Sequence, residues 1–281
     1  MERDFERVAI FGVGLIGGSL GLALKQSMPG IHVRGVGRVK ARLELARQMG
    51  AVDDCSTRIE EALADRDLVI LAMPVDGIVT SLEAIEGALS PGVLVTDVGS
   101  TKRWICDAAW RILPHSVEFI GGHPVAGREV AGVEHSLGSL FEGAPYVFCP
   151  RPGTNSPGLP RLVRLAEEIG ARPFTLTPDE HDLAVAWISH LPQLIATALA
   201  VAVRDRRTDL SGSGLRDMLR LAGSSYPVWS SILETNRDLI DQSLAGFIGE
   251  LEEVRRRLQA GSLAEEFEIA ARVQRGIGSR P

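Results

Sequence analysis

Lysine is scarce in this 281-residue sequence. It occurs only at Lys25, Lys40 and Lys102, so the second half holds no amine to serve as a general base and a histidine is what remains. Cysteine is scarce too. Cys55, Cys106 and Cys149 are scattered and odd in number; they match neither a zinc spacing nor a disulfide framework, and read as reduced thiols of a cytoplasmic protein with no metal site. No stretch reaches the roughly 18 consecutive apolar residues of a membrane span. The longest, Leu194 to Val203, is of core-helix length. The acidic start Met1-Glu2-Arg3-Asp4 is wrong for a signal peptide. Low-complexity tracts and solenoid repeats are absent. The net charge of -6, from 36 acidic and 30 basic residues, gives no general pull towards nucleic acid or an anionic membrane. An anionic ligand must therefore be held by a local cluster of donors.

What is present is a chain of two textures. At roughly 150 residues per domain, the length predicts two domains. In the first half, short apolar runs alternate with helical patterns. Strands are predicted at Arg7–Phe11, Ile31–Val36, Leu68–Met73 and Val93–Asp97, and another begins at Phe119-Ile120. Tyr146–Cys149 and Pro173–Leu176 read as later strands, with Pro150–Pro160 a loop between them. Helices are predicted at Gly18–Gln26 and Lys40–Met49. Continuous apolar strands separated by helices indicate a parallel sheet covered on both faces. From Glu180 to about Gln274 only helical periodicity is found, with helices at Asp182–Arg204, Leu215–Ala222, Pro227–Leu244 and Gly246–Gln259. The expected fold is an α/β Rossmann-type N-terminal domain, residues 1–177, with an all-helical C-terminal dimerisation domain, residues 178–281. So many apolar helical faces in so short a domain predict that a second copy completes its core.

Gly12-Val13-Gly14-Leu15-Ile16-Gly17 is a G-x-G-x-x-G. Directly after a strand and opening a helix, it predicts a dinucleotide site at Gly12, Gly14, Leu15, Ile16 and Gly17, with the pyrophosphate on the helix N-terminus. Pro74, which stops the Leu68–Met73 strand, and Ser100 are expected on the same cofactor surface. An acidic residue normally ends the second strand and reads an unphosphorylated ribose. This sequence has none from Arg7 to Leu43, and places Arg38 there instead. That exchange favours NADP over NAD.

The chemistry is expected at strand ends. Asp97-Val98-Gly99-Ser100-Thr101-Lys102 follows one strand, and Gly121-Gly122-His123-Pro124-Val125-Ala126-Gly127 follows the next apolar stretch. Carboxyl ends of parallel strands face the ligand crevice, so Ser100 and His123 are the catalytic candidates. In the helical half, His190 and Gln193 of Ser189-His190-Leu191-Pro192-Gln193 are three apart on one apolar helix face. Buried polar groups there need partners or a ligand. Arg216 and Arg220, four apart, form a candidate carboxylate clamp, or equally a solvated face or a salt bridge to Asp217 or Glu234.

Taken in order, the glycine motif, Asp97–Lys102, Gly122–Gly127, Ser189–Pro192 and Gly214-Leu215-Arg216-Asp217-Met218-Leu219-Arg220-Leu221-Ala222 resemble the prephenate/arogenate dehydrogenases of tyrosine biosynthesis. The resemblance runs from Val8 to about Leu258. It implies the compact form, without a fused mutase or regulatory domain. It also implies a nicotinamide-dependent oxidative decarboxylation of a small dicarboxylate ring substrate. Under it, His123 is the base for the ring hydroxyl, Ser100 holds that hydroxyl, Arg220 grips the ring carboxylate, and His190 is the first histidine of a His-Leu-Pro-His motif. Two positions depart from the pattern. Gln193 stands where the second histidine belongs, and a neutral amide there suits the zwitterionic side chain of arogenate. Leu219 stands where threonine is common. The competing readings are a β-hydroxyacid-type dehydrogenase, which predicts a helical-domain lysine, and a silent nucleotide sensor, which predicts a damaged Ser100/His123 pair. A methyltransferase predicts an acidic residue after the second strand.

Overall fold

A computed structural model of the chain describes residues 4–128 and 130–278. The first part is built from β1 (Arg7–Phe11), α1 (Leu15–Ser27), β2 (His32–Val36), α2 (Lys40–Gln48), β3 (Asp54–Ser56), α3 (Ile59–Leu63), β4 (Leu68–Leu71) and α4 (Val75–Ile85). It continues through β5 (Leu94–Asp97), α5 (Arg103–Ile112), β6 (Glu118–Pro124), β7 (Pro145–Cys149), α6 (Gly158–Glu168) and β8 (Arg172–Thr175). The eight strands form one sheet in the order β3-β2-β1-β4-β5-β6-β7-β8. Strands β1, β4 and β5 are buried along almost their whole length because helices cover both faces, as their unbroken apolar runs require.

The sheet is mixed rather than parallel throughout. Strand β7 runs antiparallel to β6, with His123 opposite Val147, while β8 is again parallel to β7. The cause lies in residues 130–144. A parallel partner needs a crossover over the face of the sheet. This segment instead folds onto α1, where Leu137 N–H donates to Ser19 Oγ at 3.0 Å and Ser136 Oγ donates to Leu15 O at 3.2 Å. The chain therefore re-enters at the same edge. Two short elements, β3 and α3, were also not expected, and α6 starts inside the expected loop.

The second part begins with a capping box. Thr177 Oγ1 accepts from Glu180 N–H, Thr177 N–H donates to Glu180 Oε2 at 2.8 Å, and Pro178 takes the first helical position, where its missing N–H costs nothing. Helices α7 (Pro178–Val185) and α8 (Leu191–Val203) are joined by a π-turn, Ala186–His190. Pro192 cannot donate to a carbonyl four residues back; the turn widens, and Leu191 N–H reaches Ala186 O instead. From Pro178 to Val203 the helix runs unbroken for 26 residues, with a mean hydropathy of 1.5 over its most apolar window. By length and composition alone that suffices to cross a bilayer, although Ser189, His190, Gln193 and Thr197 interrupt its apolar run. Its buried His181 and Asp182 tie it to the α/β part through His123, Lys102 and Arg103. After it come α9 (Ser213–Leu219), α10 (Tyr226–Thr235), α11 (Arg237–Ala260) and α12 (Ala264–Gly278). The expected helices over 227–244 and 246–259 are redivided: the chain breaks at Asn236, and α11 then runs 24 residues to Gly261, whose left-handed φ of 70° ends it.

Candidate active site

The nucleotide end of the site is set by three glycines. Gly12 sits at φ +86°, and a Cβ there would lie 2.4 Å from Ala72 O. A Cβ on Gly17 would lie 2.2 Å from Gly12 O, so α1 packs on the strand turn only with glycine at both places. Gly14 is different: nothing lies within 4 Å of where its Cβ would be. It is the N-cap of α1, with no side-chain cap and no acidic residue in the first turn. Among the described residues no side chain caps the first N–H groups of α1. That is the environment a pyrophosphate requires, so the residues fit a dinucleotide. Leu15 and Ile16 form that first turn. Pro74 is the N-cap of α4, on the neighbouring strand end. Arg38 lies exposed just past the end of β2.

The reacting end is a buried polar cluster. Asp97 and Lys102 have no solvent-exposed side-chain surface and pair with each other. Asp97 Oδ1 also accepts from Gly122 N–H at 3.0 Å, Asp97 Oδ2 from Gly99 N–H at 2.7 Å, and Lys102 Nζ donates to Gly122 O at 2.7 Å. These bonds join the Ser100 loop to the His123 strand, so the two candidates are held at one sheet edge. Ser100 is partly exposed between buried Gly99 and Thr101. His123 is also partly exposed, and its Nδ1 lies 2.8 Å from His181 Nε2. His181 Nδ1 lies 2.7 Å from Asp182 Oδ1. The Asp182 carboxylate caps α5, accepting from Lys102 N–H at 2.6 Å and Arg103 N–H at 2.9 Å.

His190 is brought to the same cluster by the π-turn. Asn236 Nδ2, itself donating to Asp182 O at 2.9 Å, lies 3.3 Å from His190 Nδ1, and Trp229 packs edge-on to the ring at 5.9 Å. Burial sets the charge state here. It pushes His123 well below the ordinary imidazole value, lowers His181 despite Asp182, and brings His190 down to about 4. All three rings are neutral at pH 7. Burial also pushes the Cys149 thiol up to about 12 and raises Cys106 well above its ordinary value, which leaves both unreactive.

The remaining candidates divide. Gln193 is buried on α8 near Thr197. Arg216 and Arg220 lie exposed on the segment packed along α8, outside the buried cluster, and Arg216 reaches Ser211 O at 3.4 Å. The structure adds His181, Asp182, Asn236, Asp97 and Lys102, which sequence reading did not assign. The sequence carries no separate signal for His181-Asp182: with Asp179 and Glu180 before them they read as the polar first turn of a helix.

Two families match the chain: the prephenate dehydrogenase nucleotide-binding domain over residues 20–175, and the prephenate dehydrogenase dimerization domain over residues 177–270. This chain belongs to the prephenate dehydrogenase family. It is 30% identical to the prephenate dehydrogenase of Bacillus subtilis, over 100% of this chain and 78% of that protein. The crystal structure of prephenate dehydrogenase from A. aeolicus in complex with hydroxyphenyl propionate and NAD+ superposes with a TM-score of 0.90 at 28% identity, covering 98% of this chain and 99% of that one. Synechocystis arogenate dehydrogenase superposes with a TM-score of 0.82 at 30% identity, covering 96% and 98%. Pyrroline-5-carboxylate reductase from Coxiella burnetii, at 14% identity and a TM-score of 0.54, shares the fold alone.

Proposed function

We propose that this chain oxidatively decarboxylates prephenate, arogenate or both, with His123 as the proton acceptor. The observation that carries this is the neutral, partly exposed His123 ring, fixed beside the Ser100 loop and bonded on its inner side only to His181. Gly12, Gly14, Leu15, Ile16 and Gly17 would hold the pyrophosphate of a nicotinamide dinucleotide, and with Pro74 and Ser100 beside its ring that cofactor would supply the hydride acceptor. Ser100 holds the ring hydroxyl. His123 takes its proton as the carbinol carbon is oxidised. The bond to the ring carboxylate then breaks, its electron pair enters the ring, and carbon dioxide leaves. The phenoxide so formed takes the proton back, so His123 ends unchanged. Because aromatisation drives the step, the protein's task is to orient and to stabilise developing charge. Arg220, with Arg216 one turn earlier, takes the ring carboxylate, and His190 lines the ring site.

Three finer readings follow. The cofactor is NADP: Arg38 is exposed past β2, no carboxylate lies between Arg7 and Leu43, and the nearby Asp54 is engaged by Arg34 at 2.6 Å. The preferred side chain is that of arogenate. Thr197 spends its one hydroxyl proton on Gln193 O at 2.9 Å, so the Gln193 group facing it is the amide NH2. Gln193 Oε1 is left buried without a partner, ready for an ammonium donor. The working form is a homodimer in the cytoplasm. Its thiols are free, and α11 presents Ile248, Leu251, Val254 and Leu258 to solvent on one face, where a second copy buries them. The test is an activity matrix of NADP and NAD against prephenate and arogenate. His123→Asn is expected to lose about 10²–10⁴ in kcat with cofactor KM unchanged; near-full turnover would refute the base. A tenfold preference for NAD would refute the Arg38 reading.

A further inference from the structure

We propose that His181, anchored by Asp182, is a positioning residue that locks His123 in the one tautomer able to take the substrate proton. The proposal rests on His123 being the proton acceptor.

The Asp182 carboxylate, with two backbone N–H groups and Arg103 Nε around it, is held ionised and below its ordinary value, so it only accepts. The His181 nitrogen that faces it at 2.7 Å therefore carries hydrogen. A neutral imidazole has one N–H, so His181 Nε2 presents a lone pair. Across 2.8 Å from that lone pair stands His123 Nδ1, which must be the donor. The lone pair of His123 is then at Nε2, on the side away from His181. One carboxylate thus sets the tautomer of a ring two hydrogen bonds away. His181 is 1% exposed and Asp182 0% exposed, so water cannot exchange roles with either.

The same chain serves the protonated state. When His123 gains its proton, its Nδ1–H keeps a neutral, oriented acceptor backed by a carboxylate. The other groups that face these two rings are Lys102 at the start of α5, neutralised by Asp97 of β5, and His190 from the π-turn. Neither replaces the acceptor at Nδ1.

The experiment combines tautomer and rate. In histidine-labelled enzyme, long-range ¹⁵N–¹H spectra should show His123 protonated at Nδ1 and bare at Nε2. His181→Leu removes the acceptor; kcat should fall about 10–100-fold with cofactor KM unchanged, and the acidic limb of kcat should move to lower pH because the imidazolium loses its partner. His181→Gln, whose Oε1 can accept from His123 Nδ1–H, should recover kcat to within about fivefold of the unsubstituted enzyme. An Nε2–H tautomer of His123 in the unsubstituted protein overturns the proposal, and so does His181→Leu with unchanged kcat and limb. If His181→Leu does not fold, the spectra and the glutamine variant decide alone. Near-full turnover in His123→Asn instead overturns the base itself, which separates that failure from failure of the lock.

Discussion

The two halves of this chain handle their apolar residues in opposite ways. The α/β half buries Val8, Ile10, Leu68, Ile70, Leu82, Val95, Ile105 and many others between sheet and helices. Beyond the π-turn, only Leu191, Ala196, Ile232 and Ile240 are buried apolar residues among those described, while Leu251, Leu258, Phe267, Val273 and Ile277 face outward. The sheet half thus completes its core within one chain. The helical half does not, and a surface so apolar on so little core marks an association face. The site sits on the seam: its glycines, Ser100 and His123 come from the complete half, and His181, Asp182, His190 and Gln193 from the incomplete one. Stability of the first half should therefore be independent of protein concentration, and that of the second half should not.

The two halves should respond differently to substitution. The largest effect is expected inside the sheet half. Lys102→Met leaves Asp97 buried with no counter-charge, and removing one partner of such a pair costs about 3–5 kcal/mol. Denaturant unfolding should show that loss while light scattering reports an unchanged oligomer. Next comes the helical half. Ile248→Asp with Leu251→Asp on the α11 stripe should weaken association by about 3 kcal/mol or more, over a hundredfold in Kd, read by sedimentation across a dilution series. Dissociation without loss of the α/β melting transition would sharpen the contrast; an unchanged dimer would break it.

The smallest effect is at the seam. His190 titrates near 4 in the fold, against an ordinary value of about 6.5 when unfolded. Below pH 6.5 the unfolded chain binds the proton that the folded chain refuses. The stability due to its neutral burial is full above pH 6.5 and is lost as pH falls towards 4. The melting temperature should drop over that window, and His190→Gln should flatten the drop. The same sign applies to activity: His123 lies well below 6.5, so the acidic limb of kcat/KM should fall below that value rather than at it.

Much of the site was legible because short-range chemistry wrote it. Gly12 and Gly17 are needed for a turn and a close approach that involve only residues near them and the next strand end. The strand-then-polar pattern put Ser100 and His123 at one edge. The antiparallel β7 was not legible, because it depends on where residues 130–144 dock and not on their composition. The division at Asn236 escaped notice for the same reason: Asn236 is 0% exposed and bonded to Asp182 and His190, partners far away in the chain. His181 was passed over because a histidine beside an aspartate in a helix looks like any solvated pair until burial is known.

Family, two-part organisation and glycine-rich turn were written in the sequence, since each depends on periodicity or on backbone needs within a few residues. Which group stands at His123 Nδ1, how deeply Gln193 is buried and how Arg103 and Asp182 bridge the two halves were settled only when strands and helices distant in the chain met. Hydrogen-bond roles belong to pairs of groups, and a sequence names the groups but not the pairs.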